Sequence, residues 1–96
     1  MNKFKTNVTL TNVCARLDGD DIGWIDLTVD CEDGLSRTLR WPEYDSDQEA
    51  IFRIQKGKKM RVWGNWEVEE SKLEVSDDEK PVMIRVYRLN GFQFPL

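Results

Sequence analysis

Asp45-Ser-Asp-Gln-Glu-Ala-Ile-Phe-Arg-Ile-Gln55 is the stretch of this 96-residue chain in which the apolar residues change to a helical spacing. Ser46 or Asp47 can cap it, and Asp47 and Glu49 fill a first turn where the helix dipole favours negative charge. Ile51, Phe52 and Ile54 are expected to face inward, and Gly57 follows as a C-terminal glycine. The flanking sequence reads with the two-residue period of strands, so the position of this helix orders the fold.

Upstream, Asn7-Val-Thr-Leu-Thr-Asn-Val-Cys-Ala-Arg-Leu17 is rich in β-branched residues. Val8 and Leu10 share one parity, whereas Val13, Ala15 and Leu17 share the other, so a bulge is expected near Thr11-Asn12. Asp18-Gly-Asp-Asp-Ile-Gly23 is a turn. Trp24-Ile-Asp-Leu-Thr-Val-Asp-Cys31 then alternates cleanly, with Ile25, Leu27, Val29 and Cys31 on one face and Trp24, Asp26, Thr28 and Asp30 on the other. After the turn Glu32-Asp-Gly34, Leu35-Ser-Arg-Thr-Leu-Arg-Trp41 reads as a third strand stopped by Pro42.

Downstream, Met60-Arg-Val-Trp-Gly-Asn-Trp66 places Met60, Val62 and Trp66 on one face and Arg61, Trp63 and Asn65 on the other. Glu67-Val-Glu-Glu-Ser-Lys-Leu-Glu-Val75 extends the hairpin, Ser76-Asp-Asp-Glu-Lys-Pro81 reads as a solvated tip, and Val82-Met-Ile-Arg-Val-Tyr-Arg-Leu-Asn90 is the last long strand. Three strands, one short helix and two strands on fewer than 100 residues is the order of the five-stranded oligonucleotide-binding (OB) barrel. The chain is expected to be one mainly β domain over residues 1–96, with its helix between strands three and four.

Composition narrows the chemistry. With 14 basic and 18 acidic residues the net charge is −4, so binding to a polyanion requires a local basic patch and stacking. The absence of histidine removes the usual general base, the Ser-His and Cys-His pairs and the commonest metal ligand. Phosphate-binding glycine loops, nucleophile elbows and cysteine clusters are also missing, so no catalytic residue, metal or cofactor is expected. Asp18, Asp20, Asp21, Asp26 and Asp30 gather at the first hairpin, but their spacing does not fit a calcium loop and reads as a solvated acidic turn. Cys14 and Cys31 are offset along a hairpin by too much for a disulfide and are expected as two buried free thiols. Without a secretory leader or an apolar run of spanning length, the expectation is a cytoplasmic protein that avoids membranes.

The segment Asp47-Gln-Glu-Ala-Ile-Phe-Arg-Ile-Gln-Lys-Gly57, continued by Lys58-Lys-Met-Arg-Val-Trp-Gly-Asn-Trp66, resembles the helix, "KG" and "V-x-V-x-G-x-L" core of bacterial single-stranded DNA-binding proteins and the related PriB primosomal proteins. Trp66 stands where that family usually has an aliphatic residue. The stretch from Asn7 to Leu17 is similar to the family's first strand, and Met83-Ile-Arg-Val-Tyr-Arg-Leu-Asn-Gly-Phe92 with Phe94 is similar to its closing strand. The resemblance implies aromatic stacking on bases from the second and third strands and the last hairpin, with lysines and arginines along the backbone. It aligns Thr38-Leu-Arg-Trp-Pro42 with the family's third strand and gives Trp41 a stacking position. Two departures weigh against a general genome-coating role: Glu67, Glu69 and Glu70 occupy positions the family tends to make basic or aromatic, and no acidic tail follows Phe94-Pro-Leu96.

Charge is polarised along the chain, at −3 for residues 1–44, +2 for 45–66, −5 for 67–80 and +2 for 81–96. Arg53, Lys56, Lys58, Lys59 and Arg61 supply five cations in nine residues, which suit a phosphate path or, alternatively, a solvated helix end. Trp24 and Trp63 lie opposite the apolar parity of their strands and are expected to be partly exposed near Arg37, Arg40 and Arg61, as a stacking platform or else as satellite core under the helix or part of a subunit contact. Trp41 stays open: sharing a face with Leu35 and Leu39 makes it structural and turns Arg40 to the ligand, whereas the family alignment turns Trp41 and Arg37 outward.

The expected function is binding of single-stranded nucleic acid in a groove over strands two, three and four, by stacking on Trp24, Trp41 and Trp63 and phosphate neutralisation by Arg37, Arg40, Lys58, Lys59 and Arg61. The alternative is an acidic protein-binding module, a replication accessory, phage-type regulator or nucleic-acid mimic, acting through its exposed tryptophans or its acidic hairpin over residues 67–79. Replication proteins as partners and homo-oligomerisation through the first strand are compatible with either.

Overall fold

The computed structural model describes residues 3–19, 22–75 and 81–94. They form five strands, β1 (Lys3–Leu17), β2 (Gly23–Cys31), β3 (Ser36–Trp41), β4 (Lys59–Val75) and β5 (Pro81–Gln93), with one helix, α1 (Ser46–Ile54), after β3. The strands hydrogen-bond in the order β1-β2-β3-β5-β4, and β4 pairs back onto β1 to close the ring. Neighbours are antiparallel except β3 and β5, which are parallel through Thr38, Leu39 and Arg40 against Val86, Tyr87 and Arg88.

The phase change in the first strand is a real bulge. Leu10 pairs with Val29 and Asn12 with Thr28, leaving Thr11 as the extra residue, whose hydroxyl donates to the Thr28 carbonyl. The inward side therefore switches from Phe4, Val8 and Leu10 to Val13. The outward side switches with it, from Lys3, Lys5, Asn7 and Thr9 to Asn12, Cys14 and Arg16. This carries Cys14 to the surface, so the expected pair of buried thiols is corrected: Cys14 is exposed and Cys31 half-buried, both free. Cys14 pairs with Asp26 and Cys31 with Val8, too far apart for a disulfide.

The inner faces of the ring, with Leu10, Ile25, Leu27, Val29, Leu39, Met60 and Val62, form the core. Helix α1 adds one side chain to it, Phe52, whose ring lies 4.8 Å from Phe92. Ile51 and Ile54 are 45% and 68% exposed, against expectation, because a nine-residue helix presents only one narrow stripe to the ring. The cap is also one residue earlier than expected: Asp45 has extended backbone, so its carboxylate accepts from the N–H groups of Asp47 and Gln48, whereas Ser46 is already helical. Gly57 turns the chain into β4 at φ +88°, and its N–H donates to Leu10 O at 2.7 Å, tying the helix exit to β1.

Trp41 pairs with Ile25, on the core side, and packs edge-on against Phe92 at 5.4 Å. The register thus decides between the two phases in favour of the structural one, while Leu35 is left outside the strand and exposed. Trp66 departs from its expected core face. The β4–β5 register shifts between Asn65 and Val68, and the indole comes to rest at the surface between Phe4 and Tyr87, with ring centroids 4.5 and 5.2 Å away. Beyond that irregularity β4 and β5 continue as a two-stranded arm, from Val68 opposite Tyr87 to Val75 opposite Pro81. The tip expected beyond it, residues 76–80, and Asp20 and Asp21 of the acidic turn lie outside the described residues. Among the described residues no helix is long and apolar enough to cross a membrane.

Candidate functional site

β5 stays beside β3 for only three pairs, and the residues before Thr38 and Val86 diverge. The divergence leaves an open groove of about 830 Å³. Its floor carries outward side chains of the first three strands, among them Asn12, Arg16, Thr28 and Thr38, and residues 82–87 of the arm line its other side. Three arginines from three strands line it: Arg16 of β1, Arg37 of β3 and Arg85 of β5. Leu35, Val82 and Met83 add apolar surface, each more than half exposed.

Among the described residues one carboxylate, Asp26, lines the groove, and it is held by Arg40. Arg40 Nε donates to Asp26 Oδ1 at 2.8 Å and Nη2 to Oδ2 at 3.0 Å, and Nη2 also donates to Glu70 Oε2 at 2.6 Å. The guanidinium lies 4.5 Å from the centroid of the Trp24 ring. Burial lowers the Arg40 pKa, but the hydrogen bonds to Asp26 and Glu70 outweigh it, so the net shift is upward. Trp24 is half-buried beneath this cluster, with its Nε1 enclosed and lacking an acceptor among the described residues. Arg40 therefore pins the arm to the sheet through Glu70, and its charge is already balanced by two carboxylates.

Arg37 is less enclosed. It makes a bidentate pair with Asp33 at 2.8 and 3.0 Å and lies 5.2 Å from the Trp66 ring centroid. The same pair holds the Asp33 carboxyl below its usual range, chiefly through the Arg37 hydrogen bond and then the Leu35 N–H.

The single groove expected over strands two, three and four does not exist as one surface, because β4 neighbours β1 and β5 and not β3. Of the eight expected site residues, Arg37 lines the groove. Trp24 and Arg40 form the adjoining stacked pair, and Trp41 belongs to the core. Lys58 and Lys59 are exposed at the start of β4, outside the groove. Arg61 and Trp63 lie on the β1–β4 face, where Lys5 pairs with Trp63, Asn7 with Arg61 and Thr9 with Lys59. Sequence reading missed Arg16 and Arg85. Arg16 sits at the outward parity that follows the bulge, a signal already in the chain; Arg85 could be placed only by knowing that β5 returns beside β3.

Among the described residues no group of three or more Cys, Asp or Glu is gathered to hold a metal: Asp26 is engaged by Arg40, and Asp30 accepts from the Ser36 hydroxyl at 2.7 Å. On the arm, Glu69 pairs with Arg88 at 3.4 Å, while Val68 and Leu73 are exposed. No family model, no curated protein and no solved structure matches this chain.

Proposed function

We propose that this chain is a non-catalytic OB-type module that binds single-stranded nucleic acid in the groove between the β1–β2–β3 face and the β4–β5 arm. The parallel β3–β5 pair and the helix between β3 and β4 support the OB reading of the closed ring. The observation that carries the function is the charge of the groove. In a chain of net charge −4, three strands bring Arg16, Arg37 and Arg85 to one open channel whose lining carboxylate is neutralised by Arg40. Phosphates are attracted to these guanidinium groups, and the apolar and aromatic lining, Leu35, Val82, Met83 and Tyr87, faces the bases. An open groove suits a flexible strand better than a small molecule, which needs enclosure on most sides.

The test is titration of the protein with an unstructured oligothymidine of about 30 nucleotides, followed by tryptophan fluorescence at low and moderate salt. Each phosphate neutralised on a single strand contributes about −0.7 to the log–log salt slope; Arg37 is already paired with Asp33, so Arg16 and Arg85 together give a slope of about −1.4. Affinity that does not change with salt, or no binding at low salt, would reject the reading. It would favour a protein partner for the arm, on which Val68, Leu73, Val82 and Met83 are exposed.

A further inference from the structure

The β1–β4 face has features of its own that the groove does not use. Three side chains, Lys5, Lys59 and Arg61, place positive charge there. The Glu32 carboxylate also reaches this face, accepting from the Asn7 N–H at 3.2 Å and the Thr6 hydroxyl at 3.4 Å and lining a hollow with Asp30 and Lys59, but among the described residues none of the three cations has a carboxylate within ion-pair distance. Arg61 Nε donates to Asn7 Oδ1 at 3.1 Å, which orients the guanidinium across the sheet without neutralising it. Beside it, the Trp63 indole lies against Gly91 of β5: a Cβ there would meet ring atoms Cε2, Cζ2 and Nε1 at 2.4, 2.5 and 2.5 Å. Near-equal distances to three ring atoms mean that the ring presents a face to the glycine, so the strand beneath supports the indole as a flat, half-buried plate. Lys5 Nζ lies 5.8 Å from the ring centroid. A flat indole with cations beside it is the arrangement that takes a base and its flanking phosphates.

The bulge at Thr11 joins this plate to the groove. By absorbing the phase change it keeps polar or small side chains outward along β1, from Lys3, Lys5, Asn7 and Thr9 to Asn12, Cys14 and Arg16. From Lys5 on the plate to Arg16 in the groove this ridge runs eleven residues, about 36 Å at 3.3 Å per residue. We propose that the β1–β4 face is a second contact for the same single strand, with a base on Trp63 and phosphates on Lys5, Lys59 and Arg61, and with the outer ridge of β1 as the path between it and the groove. The proposal rests on the groove reading above and extends it to a two-site path.

Fluorescence anisotropy of end-labelled oligothymidines of about 5 and about 30 nucleotides separates the two sites, because the shorter fills one OB groove alone. Trp63→Ala is expected to weaken the long oligomer about tenfold and leave the short one within about twofold, the loss expected for one stacked base. Lys5→Glu with Lys59→Glu, both at exposed positions, is expected to do the same without disturbing the plate. Arg85→Ala is expected to weaken both lengths. If Trp63→Ala and the double charge reversal leave the long oligomer unaffected, or weaken both lengths equally, the two-site path is wrong although the groove stands. If the native protein binds neither length at low salt, the groove reading fails and the path fails with it.

Discussion

Trp63 rests face-on against Gly91 of the neighbouring strand, closely enough that a Cβ at Gly91 would sit 2.4 Å from the indole. Side chains directly opposite on adjacent strands are the units of sheet packing, and an aromatic laid over a glycine shields backbone that the glycine leaves bare. Gly91→Ala must lift the ring. We expect a loss of about 1–3 kcal/mol, the usual cost of overpacking, together with a red shift in tryptophan emission. Urea unfolding of the variant measures it; stability equal to that of the native chain would show that the ring is not held there.

Asp45, and neither Ser46 nor Asp47, should prove to be the helix cap. Its Oδ1 accepts from Asp47 N at 2.8 Å and Gln48 N at 3.1 Å. Asp45→Ala is expected to cost about 1 kcal/mol, whereas Ser46→Ala should be within about 0.5 kcal/mol of native. Equal losses in chemical denaturation would contradict the assignment.

Within the groove, Arg16→Ala and Arg85→Ala are each expected to lower oligothymidine affinity and to flatten the log–log salt slope by about 0.7, the contribution of one phosphate. Lys56→Ala, at the exposed end of the helix and outside the groove, provides the contrast and should leave the slope unchanged. A series of titrations from low to moderate salt reads both quantities.

How far the sequence led differs from element to element. The alternation of Ile25, Leu27 and Val29 against Trp24, Asp26 and Thr28 was legible because burial on one face is a local, period-two property. The bulge was legible for the same reason, as a parity change between Leu10 and Val13. Trp41 was not, since its orientation depends on its register with Ile25, a pairing across a turn that either phase allows. The groove was least legible. It exists because β5 joins β3 in parallel for three pairs and then departs, a relation between segments more than forty residues apart that no local pattern encodes. The cation run ending in Lys58, Lys59 and Arg61 was visible as charge, but only the strand order puts it beside β1 and away from Arg37.

Arg40 sits between Asp26 and Glu70, with side-chain exposures of 11%, 7% and 39% respectively. Removing Asp26 takes away the bidentate partner of the enclosed Arg40 guanidinium and leaves it Glu70 alone, so Asp26→Ala is expected to destabilise the fold by about 1–3 kcal/mol. Glu70 is better solvated, and Glu70→Ala should cost about 1 kcal/mol or less. Because its charge is already balanced, Arg40→Ala combined with Asp26→Asn, which removes the pair without uncovering the carboxylate, is expected to leave the salt slope of oligonucleotide binding unchanged, unlike Arg85→Ala. A slope flattened as much by the combined substitution would place the Arg40 guanidinium on phosphate.

Glu49 makes stability depend on pH in both directions. Arg53 Nε donates to its carboxylate at 2.7 Å and the Tyr44 hydroxyl donates at 2.9 Å, and these bonds, Arg53 first, hold its pKa below the ordinary 4.5. A depressed folded-state pKa contributes stability above the unfolded value, and that contribution is lost as pH falls from about 4.5 through the folded pKa. Tyr44 has the opposite sign. Its hydrogen bond to Glu49, aided by desolvation, pushes the phenol above its ordinary 10.0, so its contribution is present below that pH and lost as pH rises through the folded value. Glu49→Ala, which leaves no acceptor for the Tyr44 hydroxyl or Arg53, removes both effects. Urea unfolding should find the variant less stable than the native chain near pH 7, with the difference shrinking below pH 4.5 and again above pH 10. A difference constant across that range would mean that the Tyr44–Glu49–Arg53 cluster is not formed in solution.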